Sequence, residues 1–234
     1  MKAVTFDLWD TLIVGDEEYN LKLRRARLLE ISEILSLERE EVEKAYISSS
    51  RRIYEIFRKP SHISVREQIE IFLDGLKLEV NYKILEKTWT ETLLKLPPKF
   101  MPGTRQVLET LRDRNLKIGL ISNTLRTPGK IFRIFFERIG IGEYFDHLTF
   151  SNEIGFVKPQ PEIFRNALKN LKVKPHQTLH VGDMMDADIF GSKRVGMKTC
   201  LLENSESNHE IEPDFVIREL REIREIIEIF DVIG

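Results

Sequence analysis

Short apolar segments recur at residues 3–6, 117–121, 147–150, 178–181 and 198–202, and several run into polar or glycine-containing turns. Each has the length of a buried strand, and helix-length stretches separate most of them. One such stretch, 103–114, follows Pro102, and another, 161–170, opens on a proline suited to a first helical turn. This alternation predicts an α/β core, a Rossmann-like parallel sheet with helices on both faces. Ligands of such sheets bind beyond the carboxyl ends of the strands. Residues 214–217 suggest one more short strand, and Leu220, Ile223, Ile226, Ile227 and Phe230 trace the apolar stripe of a closing helix.

Residues 16–95 break the alternation and read as four consecutive amphipathic helices, 21–35, 39–57, 65–76 and 82–94. Ser36, Pro60-Ser61 and Asp74-Gly75 punctuate them, and Ser64 is placed to cap the third. The predicted organisation is a catalytic core of residues 1–15 and 96–234 with a small all-helical cap of residues 16–95. An insertion directly after the first strand stands over the carboxyl edge of the sheet, where a lid would be.

Composition narrows the function classes. The 234 residues are 41% hydrophobic and 32% charged, as in a soluble globular protein. Lys+Arg of 36 against Asp+Glu of 38 gives a net charge of -2, which offers no broad attraction to nucleic acid or membrane. A small anionic substrate is compatible with it, because one lysine and a few backbone N–H groups suffice. The first strand begins at once, with no signal segment before it, and no apolar run reaches the roughly 20 residues of a membrane span. A cytoplasmic location is the expectation. Cys200, the single cysteine, excludes an intrachain disulfide and reads as an inert thiol on a buried strand.

Candidate chemistry sits at the strand ends. The first strand leads into Phe6-Asp7-Leu8-Trp9-Asp10-Thr11-Leu12, where a carboxylate is either a ligand-edge group or a turn-former. The second ends in Ser122-Asn123-Thr124, a hydroxyl and an amide suited to an oxyanion, or simply a helix-start signal. Lys158 precedes Pro159, which disfavours helix and places it in an extended turn. The fourth strand ends in Gly182-Asp183-Met184-Met185-Asp186-Ala187-Asp188. A hard divalent cation such as magnesium takes oxygen ligands, with one or two protein carboxylates typical.

In this order the motifs resemble the haloacid dehalogenase superfamily, whose signatures are Asp-x-Asp-x-Thr, a hydroxyl-bearing second motif, a distant lysine and Gly-Asp-x-x-x-x-Asp. The resemblance spans essentially the whole chain. It implies that Asp7 is the nucleophile and that Thr11 supports the first loop. Ser122, with the backbone of Asn123, would bind the transferred group, and Lys158 would neutralise the nucleophile and substrate oxygens. Mg2+ would be held by Asp7, the backbone carbonyl of Trp9 and Asp183, with Asp188 acting through water.

One position departs from the phosphatases of that superfamily. Trp9 stands where they carry a second aspartate, the general acid for the leaving oxygen, and indole cannot transfer that proton. Asp10 is adjacent, but neighbouring side chains at a strand end diverge. The indole would instead pack against the cap and narrow the pocket. The leading expectation is a magnesium-dependent phosphatase forming an aspartyl-phosphate, with a preference for activated leaving groups. A 2-haloacid dehalogenase-like hydrolase is the alternative, since those enzymes also place an aromatic residue there. Against it stand Gly182-Asp183, where they have Ser-Ser-Asn, and the absence of their cap pattern. A non-catalytic ligand-binding protein on the same fold is a third reading. Arg51, Arg52, Tyr54 and His62 of the cap are expected to face solvent, His180 to be a hydrogen-bonded core residue, and Trp89 to be packed inside the cap.

Overall fold

The computed structural model describes residues 1–57, 63–203 and 211–233, with side chains described to residue 229. His62, Pro60-Ser61 and the side chain of Phe230 lie outside the described residues. Strands β1 (Ala3–Phe6), β2 (Lys117–Ser122), β3 (His147–Phe150), β4 (Thr178–Gly182), β5 (Lys198–Leu202) and β6 (Phe215–Ile217) form one sheet, ordered β3-β2-β1-β4-β5-β6. Every pairing is parallel, and the connections from β1 through β5 cross over the sheet by way of helices. β1 is central: Phe6 is in register with Leu120 on one side and Val181 on the other.

Between β1 and the return to the sheet come α1 (Glu17–Leu35), α2 (Arg39–Phe57), α3 (Val65–Gly75) and α4 (Lys83–Lys95). The core helices are α5 (Thr104–Asp113), α6 (Gly129–Arg138), the short α7 (Ser151–Ile154), α8 (Pro161–Leu171), the short α9 (Gly191–Arg194) and α10 (Ile223–Ile233). The strand alternation decides what each sheet face buries. Val4, Phe6, Leu120, Leu179 and Val181 join Leu108, Phe132, Phe136 and Ile223 in one cluster, while Ile121 joins Phe164 and Leu168 of α8 in another. Cys200 is a free, buried thiol on β5, and burial pushes its pKa upward.

The helical stretch has an apolar cluster of its own, built from residues of α1 to α4 and the approach to α3. Trp89 is fully buried at its centre, 5.3 Å from the ring of Phe72 and 5.7 Å from that of Tyr46. Its indole N–H donates to Gln68 Oε1 at 3.3 Å. Ser64 caps α3 as expected, in a reciprocal arrangement with Glu67. α1 begins four residues earlier than hydrophobic periodicity alone indicates. Asp16 is its N-cap, accepting from the Tyr19 amide at 2.7 Å, and Glu17 and Glu18 favour the positive end of the helix. No described helix is long and apolar enough to cross a membrane.

Because Trp89 fills the middle of that cluster, Trp89→Ala should cost about 3–5 kcal/mol of stability. Urea unfolding of the two proteins measures it; a loss under about 1 kcal/mol would mean the cluster is not close-packed there.

Candidate active site

The central strand delivers Asp7 to the carboxyl edge of the sheet, and the Asp7 amide donates to the Val181 carbonyl at 2.9 Å, extending the pairing with β4 by one residue. β4 then supplies Gly182 and Asp183. The chain closes into a single turn of π-helix, Met185–Phe190, which carries Asp188. An added Cβ at Gly182 would lie 2.3 Å from Asp188 Cγ, so the glycine is what lets that carboxylate fold back onto the strand end. One oxygen from each of Asp7, Asp183 and Asp188 lies within 4.8 Å of the others.

Lys158 enters this acidic cluster from the turn before α8. Its Nζ donates to Asp7 Oδ1 at 2.5 Å and to Asp188 Oδ1 at 2.6 Å, and all three groups are buried. The Lys158-Pro159 peptide bond is cis. Asn123 holds the lysine's backbone from both sides: its Oδ1 accepts from the Lys158 amide at 2.8 Å, and its Nδ2 donates to the Lys158 carbonyl at 3.2 Å. The side chain of Asn123 is therefore occupied in positioning Lys158, a role the sequence did not suggest, and only its backbone is left for a ligand.

Electrostatics separate the three carboxylates. Burial raises the Asp7 pKa to about 6 against the pull of Lys158. Burial, with repulsion from Asp7 and Asp188, raises Asp183 to about 7. Burial also works against the Asp188 charge, but Lys158 and His180 outweigh it and bring Asp188 down to about 2. Lys158 is likewise penalised by burial, yet Asp188 and Asp7 more than compensate and keep it charged.

His180 lies beneath the site rather than in it. Its ring is fully buried, Nε2 is 3.1 Å from Asp188 Oδ1, and Nδ1 is 2.9 Å from Thr5 Oγ1. Burial depresses its pKa, so the neutral ring is favoured, with Nε2–H donating to Asp188 and Nδ1 accepting from Thr5. Asp188 Oδ2 also accepts from the Met184 amide at 3.1 Å. Both Asp188 oxygens are thus engaged. Asp7 Oδ2 and the carboxylate of Asp183, which Thr11 Oγ1 approaches at 3.5 Å, remain as the accessible oxygen donors. An all-oxygen set of this kind suits a hard divalent cation.

Asp7, Asn123, Lys158 and Asp183 line a cavity of about 800 Å³ between the strand ends and the helical stretch. Thr11 and Ser122 are fully buried and do not line it. Trp9 does, with its ring 6.0 Å from that of Tyr19 on α1 and edge-on to Phe132 of α6 at 5.8 Å. Gly15 allows this, because an added Cβ there would come within 2.9 Å of the indole. Asp10 adopts a left-handed backbone and its Oδ1 accepts from the Gly15 amide at 2.7 Å, so it shapes the loop.

A family model described as haloacid dehalogenase-like hydrolase matches residues 1–196. The chain belongs to the haloacid dehalogenase-like hydrolases. Glyceraldehyde 3-phosphate phosphatase of Methanothermobacter thermautotrophicus is 30% identical over 221 residues, which is 92% of this chain and 91% of that relative. The corresponding protein of Pyrococcus abyssi is 40% identical over 101 residues, a match that spans 42% of this chain and only 40% of the relative. Among solved structures, a phosphatase of this family from Thermococcus onnurineus superposes with a TM-score of 0.71 at 26% identity, covering 97% of this chain and 98% of that one. Membership in this hydrolase family makes the chain an enzyme.

Of the cap residues considered from sequence, Arg51 and Arg52 are exposed, whereas Tyr54 is exposed yet lines the cavity. Two charged cavity residues were not found from sequence, Arg27 of α1 and Arg126 of the loop after β2. Arg27 falls on the helix face that otherwise buries Leu23, Leu28 and Ile31, and its burial was the missed signal.

Removing the ammonium would leave buried carboxylates facing one another. Lys158→Met should therefore cost about 3–5 kcal/mol of stability at pH 8 in the presence of a chelator. Urea unfolding checks this, and an unchanged midpoint would show that the ion pairs carry no net weight.

Proposed function

We propose that this hydrolase is a magnesium-dependent phosphatase in which Asp7 accepts the phosphoryl group. The observation that carries the proposal is the meeting, at one cavity wall, of a carboxylate nucleophile, a buried ammonium and a second accessible carboxylate from the neighbouring strand. Full-length relatives named as phosphatases support it. Asp7 Oδ2 and Asp183, with the Trp9 carbonyl, would hold Mg2+, and Asp188 would act through water. When bound, the ion supplies positive charge for the substrate oxygens and relieves the repulsion between the carboxylates.

The chain's own residues do the rest. Asp7 attacks phosphorus in line, the ester oxygen leaves with its electron pair, and water then cleaves the Asp7–phosphoryl bond. Lys158 holds Asp7 in its ionised, aimed state and neutralises phosphoryl oxygens. By the resemblance, Ser122 and the Asn123 backbone amide would bind the transferred group, which requires the buried Ser122 hydroxyl to turn toward the cavity, and Thr11 would support the first loop. Residues 16–95 serve as the cap that closes the cavity, with residues 1–15 and 96–234 as the catalytic core. A dehalogenase would gain nothing from Asp183, since another carboxylate beside the nucleophile repels a haloacid anion.

Trp9 sets the substrate preference. General acid catalysis contributes about a hundred- to ten-thousand-fold, or roughly 3–5 kcal/mol of barrier, and Trp9 cannot supply it. Substrates whose leaving oxygen departs without a proton, such as aryl and acyl phosphates, are favoured over alkyl phosphates, glyceraldehyde 3-phosphate included.

Two outcomes are expected with a panel of phosphate esters. Asp7→Asn abolishes magnesium-dependent phosphate release, and a chelator does the same to the wild type; turnover surviving in Asp7→Asn would place the nucleophile elsewhere. Trp9→Asp raises kcat on alkyl phosphates by about tenfold or more relative to aryl phosphates. Equal use of alkyl and aryl esters by the wild type would refute the leaving-group preference.

A further inference from the structure

The cavity that holds Asp7 and Asp183 also contains two arginines with no acidic counterpart among the described residues. Arg27 is 3% exposed, and its Nη1 donates to the hydroxyl of Tyr46 at 3.2 Å. Arg126 donates from Nη2 to Ser50 Oγ at 2.7 Å and lies over the Tyr46 ring at 4.8 Å and the Trp89 ring at 5.8 Å. Each has a buried Nε without a hydrogen-bond partner. Neither is ion-paired with a carboxylate among the described residues, and Arg27 acts on Arg126 as a like charge.

Two guanidinium groups gathered on one tyrosine, one buried and one half-buried with a buried Nε, are an expensive arrangement for a merely structural tie. A buried charge normally acquires a counter-ion, and stacking on aromatic rings returns only part of what desolvation costs. Burial, reinforced by Arg27, holds Arg126 below its ordinary pKa, while Tyr46 and Tyr54 offset part of that. The same two arginines, acting against burial, pull the Tyr46 hydroxyl below its usual value. This part of the cavity is short of negative charge, whereas the strand-end part is rich in it. Guanidinium is planar and forked, so the group that would satisfy it is a carboxylate or a phosphate.

We infer that Arg27 and Arg126 form a second anion subsite, and that the preferred substrates are phosphate esters carrying another carboxylate or phosphate away from the bond that is cleaved. The inference rests on the reading of Asp7 as phosphoryl acceptor. It narrows the substrate class: an ester with a neutral far end leaves both arginines unpaired. Each arginine belongs to a different element, α1 and the loop after β2, so a substrate spanning the cavity would also tie the helical stretch to the sheet.

The test is a comparison of matched esters that differ only in that remote charge. 4-Carboxyphenyl phosphate is set against 4-carbamoylphenyl phosphate, 3-phosphoglycerate against glyceraldehyde 3-phosphate, and a sugar bisphosphate against its monophosphate. In the wild type kcat/KM should favour the acidic member of at least one pair by tenfold or more. A gain confined to the bisphosphate assigns the subsite to phosphate, and one confined to the acids assigns it to carboxylate. Arg27→Met and Arg126→Met should each bring the ratio to within about twofold of unity, whereas the exposed Arg25→Met should leave it unchanged. Ratios near unity in every wild-type pair, or a ratio that survives both substitutions, would overturn the inference. If the variants do not fold, the wild-type ratios decide. Calorimetry of the two aryl phosphates on Asp7→Asn reads the subsite without turnover: tighter binding of the carboxyl compound supports it, and equal binding counts against it. Absence of the ratio in the wild type with Asp7-dependent turnover intact fails this inference alone; turnover that persists in Asp7→Asn fails the phosphatase reading instead.

Discussion

The Lys158 ammonium sits between two buried carboxylates, Asp7 and Asp188, while a third, Asp183, stands within 4.8 Å. At that separation and an effective dielectric of about 20, each pair of carboxylates repels by roughly 3–4 kcal/mol. A sheet edge could not hold three of them together without a cation. Much of the surrounding structure serves to deliver that cation: Asn123 grips the lysine backbone at both its amide and its carbonyl, and His180 and the Met184 amide stabilise the Asp188 side of the arrangement. The outcome is an asymmetric set. Asp188 is fully engaged and firmly ionised, and Asp7 and Asp183 keep accessible oxygens and raised pKa values.

That asymmetry explains how similar residues take different tasks. Asp7, Asp183 and Asp188 are chemically identical, and only their hydrogen bonds distinguish a group free to react from one that holds its neighbours. Gly182 and the π-turn are part of the same device, since both are needed to bring Asp188 against the end of β4. Trp9 occupies a place in the cavity between Tyr19 and Phe132 and makes it more apolar beside Asp7.

The parallel sheet was legible because buried strands and intervening helices have different hydrophobic periods, and five strands fall within one residue of the expected bounds. β6 proved one residue shorter, at Phe215–Ile217. The convergence of Asp7, Lys158, Asp183 and Asp188 was legible too, since strand ends in a parallel sheet share an edge. The start of α1 was less so: its first turn, Glu17-Glu18-Tyr19-Asn20, shows no apolar repeat, and only the Asp16 cap marks it. The Asn123 clamp, the Thr5–His180–Asp188 chain and the meeting of Arg27 and Arg126 at Tyr46 join residues far apart in sequence. Nothing in local composition announces such contacts. An arginine on an amphipathic helix reads as solvated until the packing shows which face it is on.

Arg126 follows Ser122 and Asn123 by only a few residues, yet its guanidinium is bonded to α2 and stacked inside the helical cluster. A swing of the helices away from the sheet has two routes. Either the guanidinium is stripped from Ser50 and Tyr46, or the loop at the end of β2 is dragged along and Lys158, gripped by Asn123, is disturbed with it. Gln68 of α3 adds a second tie by donating to the Leu125 carbonyl at 2.9 Å, so any displacement of the helices is felt by the same loop that fixes the backbone of Lys158.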